Sequence, residues 1–274
     1  MTRLTIALIG TGSMGSAVGR MLAASGARVL TTLEGRSAAS VARAREARME
    51  DASLADIAAS DFLLSIVPPA VAVDTAERLA PALTQAARKA VYIDCNAVSP
   101  HTVAKIAETV DATGAAFVDG GIIGAPSSPK FYVSGPHAAR ARALADAGLA
   151  LAVLDGPVGA ASALKMSYAG ITKGLTALGS AMSLAALRNG AGHALLDELK
   201  QSQPALAAWL GANVPRMPPK AYRWVAEMEE IAAFIGKEYA EHRMYEGAAG
   251  LYARLADDRD ATDALCRFFG ERAA

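Results

Sequence analysis

A glycine-rich run near the start of the chain has the residue types and spacing of a phosphate-binding turn. Gly10, Gly12 and Gly15 form a Gly-x-Gly-x-x-Gly pattern between an apolar, strand-like run and a helical pattern whose first residues are Ser13 and Met14. Gly10 permits a tight turn, Gly12 lets the backbone approach a pyrophosphate, and Gly15 lets the helix pack on the strand. The helix start then offers unpaired N–H groups and partial positive charge to the anion. The pattern predicts dinucleotide binding, with a purely structural glycine turn as the alternative.

Lys165 is the residue that we predict to transfer a proton. It lies near the start of a long apolar helical stretch, where Lys165, Tyr168 and Thr172 share one helix face. Lys173 is turned about 80° from Lys165, so it could border the same cavity. A lysine in a mainly apolar helix either extends to solvent or is buried for a functional reason. The residues alone leave both interpretations open.

The residues after the second predicted strand indicate which cofactor, NAD or NADP, the protein would bind. Glu34 stands where an acidic side chain would bind the ribose hydroxyls of NAD. Arg36 and Ser37 follow at once and could instead hold the 2′-phosphate of NADP, because an Arg fork on phosphate is a strong charge-assisted contact. We expect NADP and keep NAD as the alternative.

Two further strand ends are expected to face the ligand crevice of an open α/β sheet. Val67 and Pro68 lie in the run 65–70, whose two prolines force the chain out of its strand. Asn96 follows another strand and could hydrogen-bond a nicotinamide ribose or a substrate. Cys95, beside it, is predicted to be a buried packing residue rather than a nucleophile.

The secondary-structure elements that must position these residues follow one pattern in the first part of the chain and another in the second. Strand-like runs (4–9, 28–33, 61–67, 90–94, 116–119, 130–134 and 150–154) alternate with helical patterns up to about residue 157, and only helical patterns follow. Alternation of this kind favours a mostly parallel sheet covered on both faces. We predict a Rossmann-type α/β domain at 1–157 and an all-α domain at 158–274, joined by a long helix that spans 161–189.

Composition excludes several classes of protein. The 274 residues carry 27 Lys plus Arg against 27 Asp plus Glu, which gives no electrostatic case for nucleic acid or an anionic membrane as partner. Two cysteines indicate no disulfide framework, and the first apolar run is better explained as a strand and phosphate loop than as a secretory signal. We expect a cytoplasmic protein without a membrane span, acting on a small molecule and needing no metal.

These motifs together resemble the β-hydroxyacid dehydrogenase and 6-phosphogluconate dehydrogenase superfamily over most of the chain. Residues 10–15 are similar to its cofactor loop, 118–126 to its substrate-binding glycine loop, and 159–165 to the stretch that leads to its catalytic lysine. The stretches 222–231 and 245–249 look like a less characterised branch with its own all-α C-terminal domain.

The resemblance implies an NAD(P)-dependent oxidoreductase that acts on a hydroxy or oxo acid or a related alcohol. Lys165 would be its general acid–base, and Ile123, Gly124, Tyr168 and Lys173 would contact substrate. Arg223 and His242 are further candidates for substrate contact, although Arg223 is also spaced for an ordinary helix ion pair with Glu227. The resemblance also implies a homodimer built on the C-terminal helices.

Departures from the family pattern keep two other functions open. Ala169 stands where the family commonly has an asparagine, and Ile123-Gly124-Ala125 replaces a Ser-Gly-Gly sequence. A late Lys-Asp pair of the family is replaced by Glu229-Glu230. One alternative is an imine reductase of the same superfamily, against which Lys165 counts. The other is a dinucleotide-sensing protein without turnover.

Overall fold

The computed structural model describes residues 3–270. Eight strands form one sheet in the order β3-β2-β1-β4-β5-β6-β7-β8, and every neighbouring pair is parallel except β6 and β7. The strands are β1 (Thr5–Ile9), β2 (Arg28–Thr31), β3 (Glu50–Asp51), β4 (Phe62–Ser65), β5 (Val91–Asp94), β6 (Phe117–Ile123), β7 (Lys130–Ser134) and β8 (Ala150–Val153). The predicted Rossmann-type, mostly parallel sheet is confirmed.

Helices connect the strands and make up the rest of the chain. They are α1 (Ser13–Ala24), α2 (Ala38–Glu46), α3 (Leu54–Ala58), α4 (Ala72–Gln85), α5 (Pro100–Asp111), α6 (Arg142–Asp146), α7 (Ala160–Arg188), α8 (Gly192–Ser202), α9 (Pro204–Asn213), α10 (Ala221–Ile235), α11 (His242–Asp257) and α12 (Arg259–Gly270). Ser99 caps α5 through the Thr102 N–H, and Pro100 takes the first helical position, where its missing N–H costs nothing. After β8, the described chain continues only in helices and turns, as predicted.

Both faces of the sheet are buried because successive strand side chains point to opposite sides. Ile6 and Leu8 belong to one apolar cluster with Val18 and Leu22 of α1. Ala7 and Ile9 belong to a second cluster, which includes buried side chains from α4 and α5. The continuous apolar sequence of β1 follows from this two-sided burial.

Some elements differ from the prediction. Strand β6 was expected to end at Asp119 and instead continues to Ile123, because β7 supplies an antiparallel partner for its glycines. The short elements β3, α3 and α6 were not predicted. The helical patterns of the sequence predict helices at 221–239 and 248–256, whereas α10 ends at Ile235 and α11 begins at His242.

The chain divides into two compact units, Met1–Met166 and Ser167–Ala274. This division falls inside α7, so Lys165 belongs to the first unit while Tyr168 and Lys173 belong to the second. The domain boundary predicted at 157/158 stays a prediction, and the outermost residues of both predicted domains, 1–2 and 271–274, lie outside the described residues. Across 3–270, none of the helices combines the length and apolarity that a bilayer crossing requires.

Candidate dinucleotide and proton-transfer site

The glycine loop between β1 and α1 is packed against its own neighbours at two of its three glycines. Gly10 has φ +107°, and a side chain there would overlap the Ile66 carbonyl oxygen. A side chain at Gly15 would overlap the Gly10 carbonyl oxygen and lie 3.1 Å from Leu8 Cδ2. These two glycines are therefore required by the fold of the turn itself, as the sequence predicted.

Gly12 has the opposite environment, and this difference tests whether the loop fits a pyrophosphate. A Cβ built on Gly12 would meet nothing within 4 Å, so the space above this residue is open. Gly12 is also the N-cap of α1 and caps it with no side-chain hydrogen bond. Thr11 Oγ1 is buried and has no hydrogen-bond partner within the described part of the chain. An open approach, an uncapped helix start and an unpaired hydroxyl together fit a bound phosphate group.

Arg43 on α2 also reaches the glycine loop, and it was missed at the sequence level. Its Nε donates to the Thr11 carbonyl oxygen at 2.8 Å, and its Nη2 donates to Ser40 Oγ at 3.0 Å. The only signal in the sequence is the one-turn spacing of Ser40 and Arg43. The guanidinium thereby links the phosphate loop to the start of α2.

The three residues proposed for cofactor choice lie at the carboxyl end of β2. Glu34 lines an open cavity of about 450 Å³, together with Asp51 and neighbouring residues at the ends of β2 and β3. Ser37 caps α2 by accepting from the Ser40 N–H at 3.3 Å. Arg36 is half-buried between them. The cavity is thus lined by two acidic residues, Glu34 and Asp51, while Arg36 lies two positions after Glu34 in the chain.

Strand register brings four polar residues into one row at the carboxyl edge of the sheet. Ser65 of β4 is opposite Asp94 of β5, which is opposite Asp119 of β6, which is opposite Ser134 of β7. All four are fully buried. We call them the polar row. Each residue ends or follows a separate apolar run in the sequence, so only the register shows that they are neighbours.

Asn96 ties the polar row to the loop that contains Val67 and Pro68. Its Oδ1 accepts from the Val67 N–H at 2.7 Å, while its Nδ2 donates to Ser65 Oγ at 3.0 Å and to Asp94 Oδ2 at 2.7 Å. The side chain is 1% exposed. These bonds hold the two predicted strand exits together, and direct contact of Asn96 with a ribose stays a prediction.

Burial raises the pKa of Asp94 to about 7, and hydrogen bonds from Asn96 offset part of this effect. Folded Asp94 therefore keeps its proton at pH values where the unfolded chain has lost it, and its contribution to stability is lost as the pH rises from about 4 to 7. We expect Asp94→Asn to become less destabilising, relative to the wild type, between pH 5 and pH 8 in urea unfolding. The exposed Asp111→Asn is the control. A difference that is independent of pH would contradict the raised pKa.

Lys165 lies on α7 beside the last residues of β6. Its Nζ donates to the Ile122 carbonyl oxygen at 2.5 Å, and its side chain is partly buried. Gly121 makes this approach possible, because a Cβ there would lie 3.1 Å from Lys165 Cβ and 2.9 Å from the Ala161 carbonyl oxygen. Lys165 is thus anchored to the strand rather than extended on the surface.

The predicted substrate loop is the turn between β6 and β7. Ile123 is half-buried at the end of β6, and Gly124 follows it, exposed, with φ +108°. Both residues adjoin Ile122, the partner of Lys165. Cys95 is buried as predicted, and burial raises the pKa of its thiol, which disfavours a nucleophilic thiolate.

Lys173 has a different environment, inside the second unit. It forms a salt bridge with Glu227 of α10 and lies 5.2 Å from the centre of the Trp224 ring. Burial lowers the pKa of the Lys173 ammonium, and Glu227 opposes this shift. Tyr252 of α11 donates to the Lys173 carbonyl oxygen at 2.6 Å. These contacts give Lys173 a part in joining α7, α10 and α11.

The other substrate candidates are also in the second unit. Tyr168 is half-exposed on α7. His242 is buried, with Nδ1 2.7 Å from the Tyr239 carbonyl oxygen and Nε2 3.5 Å from Glu246 Oε1. The guanidinium of Arg223 lies 5.8 Å from the centre of the Tyr222 ring. No group of three or more His, Cys, Asp or Glu within 3–270 is arranged to hold a metal ion.

An open, mostly parallel sheet with an uncapped glycine turn after its first strand, followed by a helical unit, defines a class of dinucleotide-dependent oxidoreductases. Residues 5–155 match the NAD binding domain of 6-phosphogluconate dehydrogenase, and residues 186–255 match a domain of unknown function, DUF1932. The chain belongs to the family of the first match. Its N-terminal part is therefore an NAD-binding domain of this family.

Known proteins are similar to this chain in sequence or in structure. An uncharacterised 28.5 kDa protein of Methanothermus fervidus is 35% identical over 141 residues, which are 51% of this chain and 52% of that protein. The chain thus spans about half the length of this curated relative. A solved conserved protein of unknown function, described as similar to 3-hydroxyacid dehydrogenases, is 27% identical with a TM-score of 0.73 over 96% of this chain and 100% of that one.

More distant structures share the fold alone. The 3-hydroxyisobutyrate dehydrogenase of Mycobacterium tuberculosis, solved with L-serine, is 17% identical with a TM-score of 0.74 over 96% of this chain and 98% of that one. Imine reductases also have this fold.

Proposed function

We propose that this protein transfers a hydride between NADP or NAD and a hydroxy or oxo acid, or a related alcohol, with Lys165 as the general acid–base. The observation that carries the proposal is the position of Lys165, bonded to β6 within the same unit as the glycine loop. The dinucleotide supplies or accepts the hydride when it is bound. Gly12, Ser13 and Met14 at the start of α1 would hold its pyrophosphate through backbone N–H groups.

The Ile122 carbonyl oxygen is compatible with a lysine that gains and loses a proton. A backbone carbonyl accepts a hydrogen bond from an ammonium and from a neutral amine alike, so the Ile122 carbonyl can anchor Nζ in both states. Lys165 would accept the hydroxyl proton as an amine during oxidation and return it as an ammonium during reduction.

Ile123 and Gly124 are our proposed substrate contacts on the first unit, because they adjoin the carbonyl that holds Lys165. Tyr168 stays a proposed contact, and its exposed hydroxyl could replace the asparagine that the family commonly has. Lys173 also stays a proposed contact, although substrate would have to compete with Glu227 for its ammonium. A cytoplasmic location stays a prediction from the composition.

The direct test of the proposal is to titrate the purified protein separately with NADPH and with NADH and to measure binding by calorimetry. We expect tighter binding of NADPH, with Arg36→Ala weakening NADPH about 10-fold or more and NADH little, since a charge-assisted bond contributes roughly 1.5–3 kcal/mol. Arg45→Ala, at an exposed arginine of α2, is the control. Tighter NADH binding would assign the selectivity to Glu34, and binding of neither would refute the proposed function.

We further propose that a second copy of the chain covers an exposed apolar face of α7. Ile171, Leu178 and Met182 are 69%, 58% and 54% exposed, and their spacing puts them on one helix face. Light scattering should show twice the chain mass for the wild type and the single-chain mass for Leu178→Glu/Met182→Glu. Met244→Glu, at an equally exposed apolar residue of α11, should stay a dimer. A monomeric wild type at micromolar concentration would contradict the proposal.

A further inference from the structure

The N-terminus of α7 is capped by a carboxylate from another part of the chain. Asp119 of β6 is fully buried. Its Oδ2 accepts from the backbone N–H groups of Gly159 at 2.9 Å, Ala161 at 2.9 Å and Ser162 at 3.1 Å, and its Oδ1 accepts from Ser162 Oγ at 2.6 Å. Ser134 Oγ donates to Oδ2 at 2.8 Å. N–H groups at the start of α7 and just before it are therefore bound by a residue about forty positions earlier, and the Ala161 N–H also donates to Ser134 Oγ at 3.0 Å.

The same strand contacts α7 at two further points. Gly121 leaves room for the Ala161 carbonyl, and Ile122 accepts the hydrogen bond from Lys165 Nζ. One carboxylate, one absent side chain and one carbonyl, all within Phe117–Ile123, thus determine where α7 begins and how it is rotated. Rotation matters because one residue of helix corresponds to about 100°, which would carry Nζ away from the Ile122 carbonyl.

We propose that Asp119 is the positioning residue of Lys165. It holds the first turn of α7 in the rotation and height that direct Nζ to the β6–β7 turn, where the proposed substrate contacts Ile123 and Gly124 lie. This inference rests on the proposed function, because it gives Asp119 a part in catalysis only if Lys165 transfers the proton. An ordinary serine cap would not do the same, since one hydroxyl cannot accept five hydrogen bonds.

The test uses a readout that needs no substrate. Acetylation of Lys165 by an amine-reactive ester is followed by mass spectrometry, relative to the exposed Lys105 and Lys200, below the melting temperature of each variant. In Asp119→Ala no acceptor remains at this position, so the five hydrogen bonds of the carboxylate are lost. We expect Lys165 to be released from Ile122 and acetylated at least threefold faster. Asp155→Asn, exposed in the loop before α7, should leave the rate unchanged.

Two further variants keep the inference testable if Asp119→Ala does not fold. Ser162→Ala removes one of the five bonds and retains the carboxylate, so a smaller increase in the Lys165 rate is expected. Gly121→Ala displaces α7 without changing Asp119 and should also alter that rate. A lowered melting temperature with wild-type acetylation of Lys165 would overturn the inference, because Asp119 would then only stabilise the helix.

Kinetics separate this inference from the proposed function. For a substrate that the wild type turns over, Asp119→Ala should lower kcat at least tenfold and leave the Kd of the dinucleotide unchanged. An unchanged acetylation rate refutes the positioning role even if the wild type is active. A faster acetylation rate in a protein that turns over no substrate supports the positioning of Lys165 and refutes only the proposed catalysis.

Discussion

Replacement of Lys165 by methionine is expected to lower kcat by about 10²–10⁴-fold, the typical contribution of general acid–base catalysis. Methionine keeps much of the side-chain volume and removes the only group proposed to exchange a proton with substrate. The Kd of the dinucleotide should stay within about twofold, because the glycine loop lies on β1 and α1 and makes no use of this side chain. The measurement is steady-state turnover, combined with titration of NADPH and NADH.

Two comparisons decide what the loss at Lys165 means. Lys165→Arg keeps a positive charge and a donor, but a guanidinium does not release its proton near neutral pH, so this variant should be as inactive as methionine. Activity of the arginine variant would show that charge suffices and that Lys165 does not transfer the proton. Lys200→Met, at an exposed lysine on α8, is the control for loss of a surface lysine.

The second large effect is expected from a matched pair of glycine substitutions, Gly12→Ala and Gly15→Ala. A methyl group on Gly12 meets open space and replaces a helix N-cap, so the cost in stability should be at most about 1 kcal/mol. The same methyl group occupies the approach to the helix start, so dinucleotide affinity should fall about 100-fold, or roughly 2.7 kcal/mol. Binding is measured by calorimetry, and stability by urea unfolding.

Gly15→Ala, in contrast, should affect stability more than dinucleotide affinity. The added methyl group would overlap the Gly10 carbonyl oxygen, and the overpacking should lower the free energy of unfolding by about 1–3 kcal/mol. Gly247→Ala, on α11 with open space around it, is the control and should be neutral or slightly stabilising. Wild-type affinity in Gly12→Ala would mean that the loop is structural and that the dinucleotide binds elsewhere.

Local patterns predicted the larger elements well, and the misses have physical causes. Strand β3 consists of Glu50 and Asp51, two residues of low strand propensity that become a strand only because β2 pairs with them. The extension of β6 through Gly120 and Gly121 has the same cause, with β7 as partner. Propensity is a weak prior for such residues, and tertiary pairing overrides it.

In the candidate site, too, residues in short local motifs were predicted from the sequence, and contacts between distant parts of the chain were not. Gly10, Gly12, Gly15 and Lys165 were recognisable because each belongs to a short motif or to a resemblance carried by neighbouring residues. Arg43, which reaches the glycine loop from α2, was not recognised, because its contact with Thr11 joins residues far apart in the chain. The cap of α7 by Asp119 was missed for the same reason.

By itself, the sequence determined the alternation of strands and helices, the glycine turn after the first strand and a lysine near the start of a long helix, because periodicity and glycine spacing act over a few residues. The tertiary structure alone decided that Ser65, Asp94, Asp119 and Ser134 form one row, since strand register is set by pairing between distant segments. It alone joined Lys165 to Ile122 and the start of α7 to Asp119. A single sequence does not encode such contacts as a local pattern, because they depend on how a whole sheet is assembled.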